Sequence, residues 1–214
     1  MIWRDSRCAV PKIHQSKDAP PSRMSKPTAI AYWLIPARPV RELFSEIIRI
    51  LAEELDAPRF EPHLTLFAAP GSDQSARRLL HRIKAQRIHL AVRDVGFSAK
   101  FSKTLFVRLG SSDALTELRN ELGQGAKSRA ESLPRKTPAL LHEGASLYAA
   151  LPDPHMSLIY KKLAPRAQSE LASAIKFPFP GVVFDCIKAI RCSAPARTRA
   201  DVEAWKVIAR KSLQ

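Results

Sequence analysis

Apolar positions along this chain follow two periods, and the switches between them mark out the elements. Thr28 to Ile35 is a β-rich apolar run closed by Pro36, which predicts a strand. From Val40 to Leu55, Leu43, Phe44, Ile47, Ile48, Ile50 and Leu51 recur at helical spacing with charge between them, so an amphipathic helix is expected, stopped by Pro58. Phe60 to Ala68 returns to strand character. Gly71-Ser72-Asp73 offers N-cap chemistry for a short basic helix reaching about Ala85. Arg87 to Ser98 and Thr104 to Leu109 read as two strands joined by a polar turn. Ser111-Ser112-Asp113 opens a second long helix to about Ser132, with Leu115, Leu118 and Leu122 on one stripe. Leu133 to Asp153 is rich in proline and glycine. Beyond it, His155 to Lys161 predicts a strand, Pro165 to Ala174 a helix, Val182 to Arg191 a strand and Trp205 to Ala209 a last strand. Each half therefore holds a helix, a strand built on a histidine and a further strand pair. That pattern predicts an α+β fold over residues 27–214: one bilobal domain whose two similar lobes, each an antiparallel sheet with helices outside, flank a cleft.

The two histidine strands are near copies of each other. Glu61-Pro62-His63-Leu64-Thr65-Leu66-Phe67 recurs, type for type, as Asp153-Pro154-His155-Met156-Ser157-Leu158-Ile159. Residues two apart share one face of a strand, so each copy sets an imidazole beside a hydroxyl. Leu64, Leu66, Met156 and Leu158 then point to the opposite face and can fill a core. Proline lacks the N–H a ladder needs, which suits it to the start of a strand. If the two strands face each other, two histidines and two hydroxyls converge. That set suits a phosphodiester: two groups to move protons and two donors for the non-bridging oxygens.

Other histidines lack this setting. His14-Gln15-Ser16 has the spacing without the flanking leucine and apolar alternation. His81 stands apart, and His89 alternates within an apolar strand and reads as structural. His142 beside Glu143 could mimic a catalytic dyad but has no nucleophile within sequence reach. Lys161-Lys162 and Arg77-Arg78 read as solvated charge.

Size and charge narrow the picture. A chain of 214 residues can bury a full core. Lys and Arg number 35 against 20 acids, a net charge of +15, which favours anionic partners such as RNA or nucleotides. No apolar run approaches the roughly 20 residues a membrane span needs. The cysteines are Cys8, Cys186 and Cys192, an odd number without a framework. Cys186 and Cys192 on one strand lie roughly 20 Å apart, too far to bridge. A reducing, cytoplasmic compartment is expected. No Cys, His and carboxylate cluster has metal-ligand spacing, so neither metal nor other cofactor is expected. Residues 1–26 form a basic, proline-bearing leader expected to be disordered. Its composition is open to organelle targeting, which Asp5, Asp18 and the prolines weaken.

These features resemble the two-histidine (2H) phosphoesterase superfamily, which carries paired His-x-Thr/Ser motifs on facing strands. Within it, the chain is similar to the eukaryotic-type cyclic nucleotide phosphodiesterases. Ala31-Tyr32-Trp33-Leu34-Ile35-Pro36 looks like their first strand, Phe60 to Leu66 and His155 to Tyr160 like their two motifs, and Trp205-Lys206-Val207 like their last strand. The resemblance implies a metal-independent hydrolase of ribose cyclic phosphates, either a nucleoside 2′,3′-cyclic phosphate opened to the 2′-phosphate or ADP-ribose 1″,2″-cyclic phosphate. His63 and His155 would be the proton shuttles, with Thr65 and Ser157 as donors to the phosphate. Tyr160 reads as core by spacing, since five residues separate it from His155; the resemblance makes it a contact to phosphate or ribose. Trp205 is implied near the substrate, where it could stack on a base. Two other readings remain: an enzyme acting on RNA 2′,3′-cyclic phosphate termini, and a non-catalytic RNA- or nucleotide-binding module. A monomer acting on a small cyclic phosphate is the expected state.

Overall fold

Strand β1 (Thr28–Pro36) is buried on both faces along nearly its whole length. Its even-numbered residues Ile30, Tyr32 and Leu34 join the main core. Ala31, Trp33 and Ile35 form a second, smaller cluster with Cys186 and Ile190. A strand covered on both sides carries a continuous apolar run, as the sequence does here. The computed structural model describes residues 28–130, 153–193 and 195–214. The basic leader, most of the Leu133–Asp153 stretch, His14 and His142 lie outside the described residues.

Beyond β1 the order is α1 (Val40–Glu54), β2 (Leu64–Ala69), α2 (Asp73–Arg82), β3 (Ile88–Phe97), a 3-10 turn at Phe101–Lys103 and β4 (Leu105–Leu109). Then come α3 (Asp113–Ala130), β5 (His155–Ile159), α4 (Pro165–Ala174), β6 (Gly181–Ser193), α5 (Arg199–Glu203) and β7 (Lys206–Ser212). The α+β class expected from the pattern is the one observed. The seven strands run β1-β2-β5-β4-β3-β6-β7, every pairing antiparallel, and β1 also pairs with β6.

Two joints in this sheet matter for function. The 13-residue β6 pairs with β3 through Gly181–Phe184 and with β1 through Phe184–Ser193. Between β2 and β5 there is a single pair, Leu64 with Met156. That pair joins the centres of the two seven-residue copies.

The helices pack their apolar stripes as expected, with local differences. In α1, Phe44, Ile48, Leu51 and Ala52 are buried, while Leu43 and Ile50 stay exposed, so the buried stripe is narrower than the apolar one. Lys161 is not merely solvated charge: its ammonium donates to the carbonyls of Leu55 and Asp56, orphan acceptors at the end of α1. Ser72 caps α2 through a reciprocal bond with Ser75, and the helix stops at Arg82, short of Ala85. Helix α5, capped by Thr198 and Asp201, is too short to show an apolar period in the sequence.

Candidate active site

His63 and His155 are held in the same way. Nδ1 of His63 lies 2.7 Å from the carbonyl oxygen of Glu61, and Nδ1 of His155 lies 2.8 Å from that of Asp153. A carbonyl can only accept, so Nδ1 carries the hydrogen in both rings and Nε2 is left for chemistry. Extending the Leu64–Met156 register by one residue each way sets His63 across from Ser157 and Thr65 across from His155. In register, each histidine is therefore set across from the position of the other copy's hydroxyl, besides the one on its own strand.

The acid that opens each copy has a second task. The Glu61 carboxylate receives two bonds from the Lys188 ammonium, at 2.6 and 2.7 Å, and the Asp153 carboxylate receives one from Lys103 at 2.7 Å. Both lysines are mostly buried along their side chains. Each acid thus clasps a lysine with its side chain while its backbone carbonyl orients the histidine two residues on. The lysines belong to the candidate site, and sequence reasoning missed them. The repeated acid was the signal for them, but its partners lie 127 and 50 residues away.

Past the hydroxyl, both copies leave the regular pleat. On β2, Thr65 pairs with Trp33 and Phe67 with Tyr32; on β5, Ser157 pairs with Phe106 and Ile159 with Leu105. Each is a one-residue bulge, which reverses the alternation from there on. That is why Leu66 with Phe67, and Leu158 with Ile159, are consecutive core residues. It also returns the fifth residue after each histidine to the site face. Tyr160, read as core by strand spacing, is buried, and the bulge turns it to the face that carries Ser157; burial raises its phenol pKa and Ser157 opposes the rise. The equivalent of Tyr160 in the first copy is Ala68, which packs with the small cluster around Trp33. At this one position the near-symmetric site is asymmetric.

Around the histidines lies an aromatic wall. Trp33 stacks on His63, with centroids 3.6 Å apart and planes 12° from parallel. Trp205 presents an edge to both His63 and Trp33, at 5.6 and 4.9 Å. Tyr160 packs against Phe60 at 4.5 Å and Trp205 at 5.3 Å. Trp205 is half-buried, and its indole Nε1 is buried without a partner. On the other side Phe106 packs edge-on to His155 at 5.4 Å, under the Lys103 ammonium.

This enclosure sets the protonation states. Burial pulls the His63 pKa from 6.5 to about 4; its carbonyl bond opposes the change and the charge of His155 adds to it. Burial also lowers His155, helped by Lys103 and Arg119 and opposed by the Asp153 carbonyl and carboxylate. Both imidazoles are neutral near pH 7, and His63 is the harder to charge. Tyr160, pushed up to about 12 by burial, keeps its proton.

All six residues singled out from sequence fall in this region. Ser157 carries a qualification: its hydroxyl donates to the Ser102 carbonyl at 2.9 Å, so it must rotate to serve a ligand. Thr65 is half-buried and pairs with Trp33 of β1. His89, expected to be structural, is exposed on β3, and His81 is exposed on α2, its carbonyl taken by Lys211. Cys186 and Cys192 are free thiols on β6. Among the described residues no three His, Cys, Asp or Glu side chains group to hold a metal, and no helix is long and apolar enough to cross a membrane.

Two Nδ1-anchored histidines, each opposite the other motif's hydroxyl on antiparallel strands, define a site of the two-histidine phosphoesterase class. The chain belongs to the cyclic phosphodiesterase-like family of that superfamily, since the family described as "Cyclic phosphodiesterase-like protein" matches residues 28–177. The fold recurs in solved structures at low identity. TT0787 of Thermus thermophilus is 16% identical, with 86% of this chain and 97% of that one covered at a TM-score of 0.50. E. coli LigT complexed with 3′-AMP is also 16% identical, with 88% and 99% covered at 0.47. A search of curated proteins gives no significant match.

Proposed function

We propose that this protein is a metal-independent cyclic phosphodiesterase that opens ribose cyclic phosphates, converting a nucleoside 2′,3′-cyclic phosphate to the 2′-phosphate. One observation carries the reading: both imidazoles have Nδ1 tied to a carbonyl and Nε2 left to exchange protons. A water attacks phosphorus as one imidazole removes its proton; the bond from phosphorus to O3′ breaks and the other imidazole protonates that oxygen. The products are a free 3′-hydroxyl and a 2′-phosphate, with the proton states of the two rings exchanged until solvent resets them.

His63 is the base in this scheme, because the ring that burial keeps neutral is the one ready to accept a proton. His155 is the acid. An anionic phosphate at Nε2 raises its pKa, and Asp153 beside it favours the charged form. The two charges repel, so a single proton is shared between the rings. Thr65, Tyr160 and a rotated Ser157 donate to the non-bridging oxygens, where charge grows in the transition state. Trp205 offers a face for a base.

The +15 charge supports a second reading, action on a cyclic phosphate at an RNA end. Hydrolysis of 2′,3′-cyclic AMP, scored for 2′- against 3′-monophosphate beside a short RNA with a cyclic phosphate end, tests both. The first reading expects the mononucleotide to be turned over to the 2′-product. Turnover of RNA alone, weakening steeply with salt, would favour the second. Phosphate binding without turnover of either substrate would leave a binding module.

A further inference from the structure

The register of the sheet carries the active-site face outward to an edge. Thr65 pairs with Trp33, Trp33 with Lys188, and Lys188 with Arg210, so one row crosses β2, β1, β6 and β7. Paired residues point to the same side of a sheet. On this side Trp33 stacks on His63 and Lys188 clasps Glu61. A second row, Ala68, Ala31, Ile190 and Val207, shares that side, since its first three members pack in the small cluster with Trp33 and Trp205. The residues flanking Arg210 point the other way: Ala209 packs on the main core, and the Lys211 ammonium reaches the His81 carbonyl of α2.

Strand β7 pairs with β6 alone and ends the sheet. Here the site face is open. Val207 is 53% exposed at the end of an apolar row, and Arg210 is exposed with no ion pair or hydrogen bond among the described residues. Other cations around the site are answered by acids: Lys188 by Glu61, Lys103 by Asp153 and Arg108 by Asp94. At the strand spacing of ~4.8 Å, Arg210 stands about 10 Å from Trp33, with a long stem to shorten the gap. A ribose cyclised at 2′ and 3′ can continue only through its base or its 5′ oxygen. With the cyclic phosphate at the histidines and the base on Trp205, the 5′ oxygen is the exit left for further substrate.

We propose that the open face of β7 is a subsite for a second phosphate, in which Arg210 binds the phosphate on the 5′ oxygen of the cyclised nucleotide and Val207 supports the next base. The inference rests on the phosphodiesterase reading and deepens it: a nucleoside cyclic phosphate fills part of the site, and an RNA end fills the rest. Guanidinium suits the role because its parallel N–H donors match the oxygens of a phosphate. A charge of either sign would keep an edge strand from pairing with other chains, whereas recognition of phosphate needs a positive one.

The test measures kcat/KM on 2′,3′-cyclic AMP, on its 5′-phosphorylated form and on a diadenylate ending in a 2′,3′-cyclic phosphate. Wild type, Arg210→Gln, Arg210→Glu and Val207→Ser are compared, with Tm and oligomeric state beside each. In the wild type the 5′-phosphate should raise kcat/KM about 10-fold, and the dinucleotide should gain further. Arg210→Gln should remove most of the gain from the phosphate, and Arg210→Glu should turn it into a loss. Val207→Ser should lower only the further gain of the dinucleotide. Equal kcat/KM for all three substrates in the wild type would overturn the proposal, as would a gain that persists in folded Arg210→Gln and Arg210→Glu. Self-association of Arg210→Gln with that gain intact would mark edge protection alone and overturn it too. A wild type that turns over none of the three substrates would instead sink the phosphodiesterase reading itself.

Discussion

The indole of Trp33 lies flat against the imidazole of His63, 3.6 Å between centroids. The contact removes one face of the ring from water and fixes its tilt, while the Glu61 carbonyl fixes its rotation. Orientation and low basicity therefore arise from one arrangement: the packing that aims Nε2 also pulls the pKa to about 4. Among the described residues no ring stacks on His155 in this way, and it sits nearer to charge, which is the physical basis for giving the two rings different parts.

That difference predicts how single and double substitutions combine. His63→Ala and His155→Ala should each lower kcat by roughly 10²-fold or more. The double variant should lose far less than the product of the two, because the rings act as one unit. Steady-state kinetics on 2′,3′-cyclic AMP would decide. Full activity in either folded single variant refutes the assignment.

Stability should fall in mild acid. His63 binds its proton near pH 4 when folded and near 6.5 when unfolded, so between those values the unfolded state holds more protons. The full contribution is present above pH 6.5 and is lost as pH falls toward 4, up to about 3 kcal/mol for this ring. Urea unfolding across that window should show the slope, and His63→Gln should flatten it. A wild-type curve level from pH 7 to 4 contradicts the buried neutral imidazole.

The clasped acids should act through the histidines they orient. Lys188→Ala leaves Glu61 half-buried and unpaired, at a cost of about 1–3 kcal/mol. It should also lower kcat by several-fold while KM changes little. Lys103→Ala should do the same to the His155 side and raise the His155 pKa as well, since Lys103 is one of the charges lowering it. Titration of the imidazole resonances by NMR checks the second effect. A change in KM alone would mean that the lysines bind substrate instead.

Tyr160→Phe removes one donor and leaves the ring among Phe60, Phe101 and Trp205. Its Tm should stay close to wild type, with kcat/KM reduced by about tenfold. Ala68→Tyr, at the matching position of the other copy, should instead lower Tm, because it presses a phenol against the packed cluster around Trp33. Thermal melts of both variants beside their kinetics test the asymmetry.

Chelation should leave activity unchanged, because both proton transfers are assigned to imidazoles. EDTA-treated enzyme assayed on 2′,3′-cyclic AMP checks this. Loss of activity restored by a divalent ion would require another mechanism.

The seven-residue repeat made much of this site legible in one dimension. Alternation put His63 with Thr65 and His155 with Ser157 on one face, because strand geometry is local and its period is fixed at two. The apolar stripes of α1 and α3 were legible for the same reason, being set by bonds four residues long. Tertiary structure decided the rest. Tyr160 changed faces because a bulge breaks the period, and a bulge depends on how a strand meets its neighbour. Lys188, Lys103 and Trp33 joined the site through contacts that no local spacing encodes. Arg119 stood in the apolar stripe of α3 as a visible exception, but only packing showed that its charge is buried. Local spacing determines what lies within a few residues along a strand or helix; which distant side chains then share a dielectric and a proton is settled only when the sheet pairs.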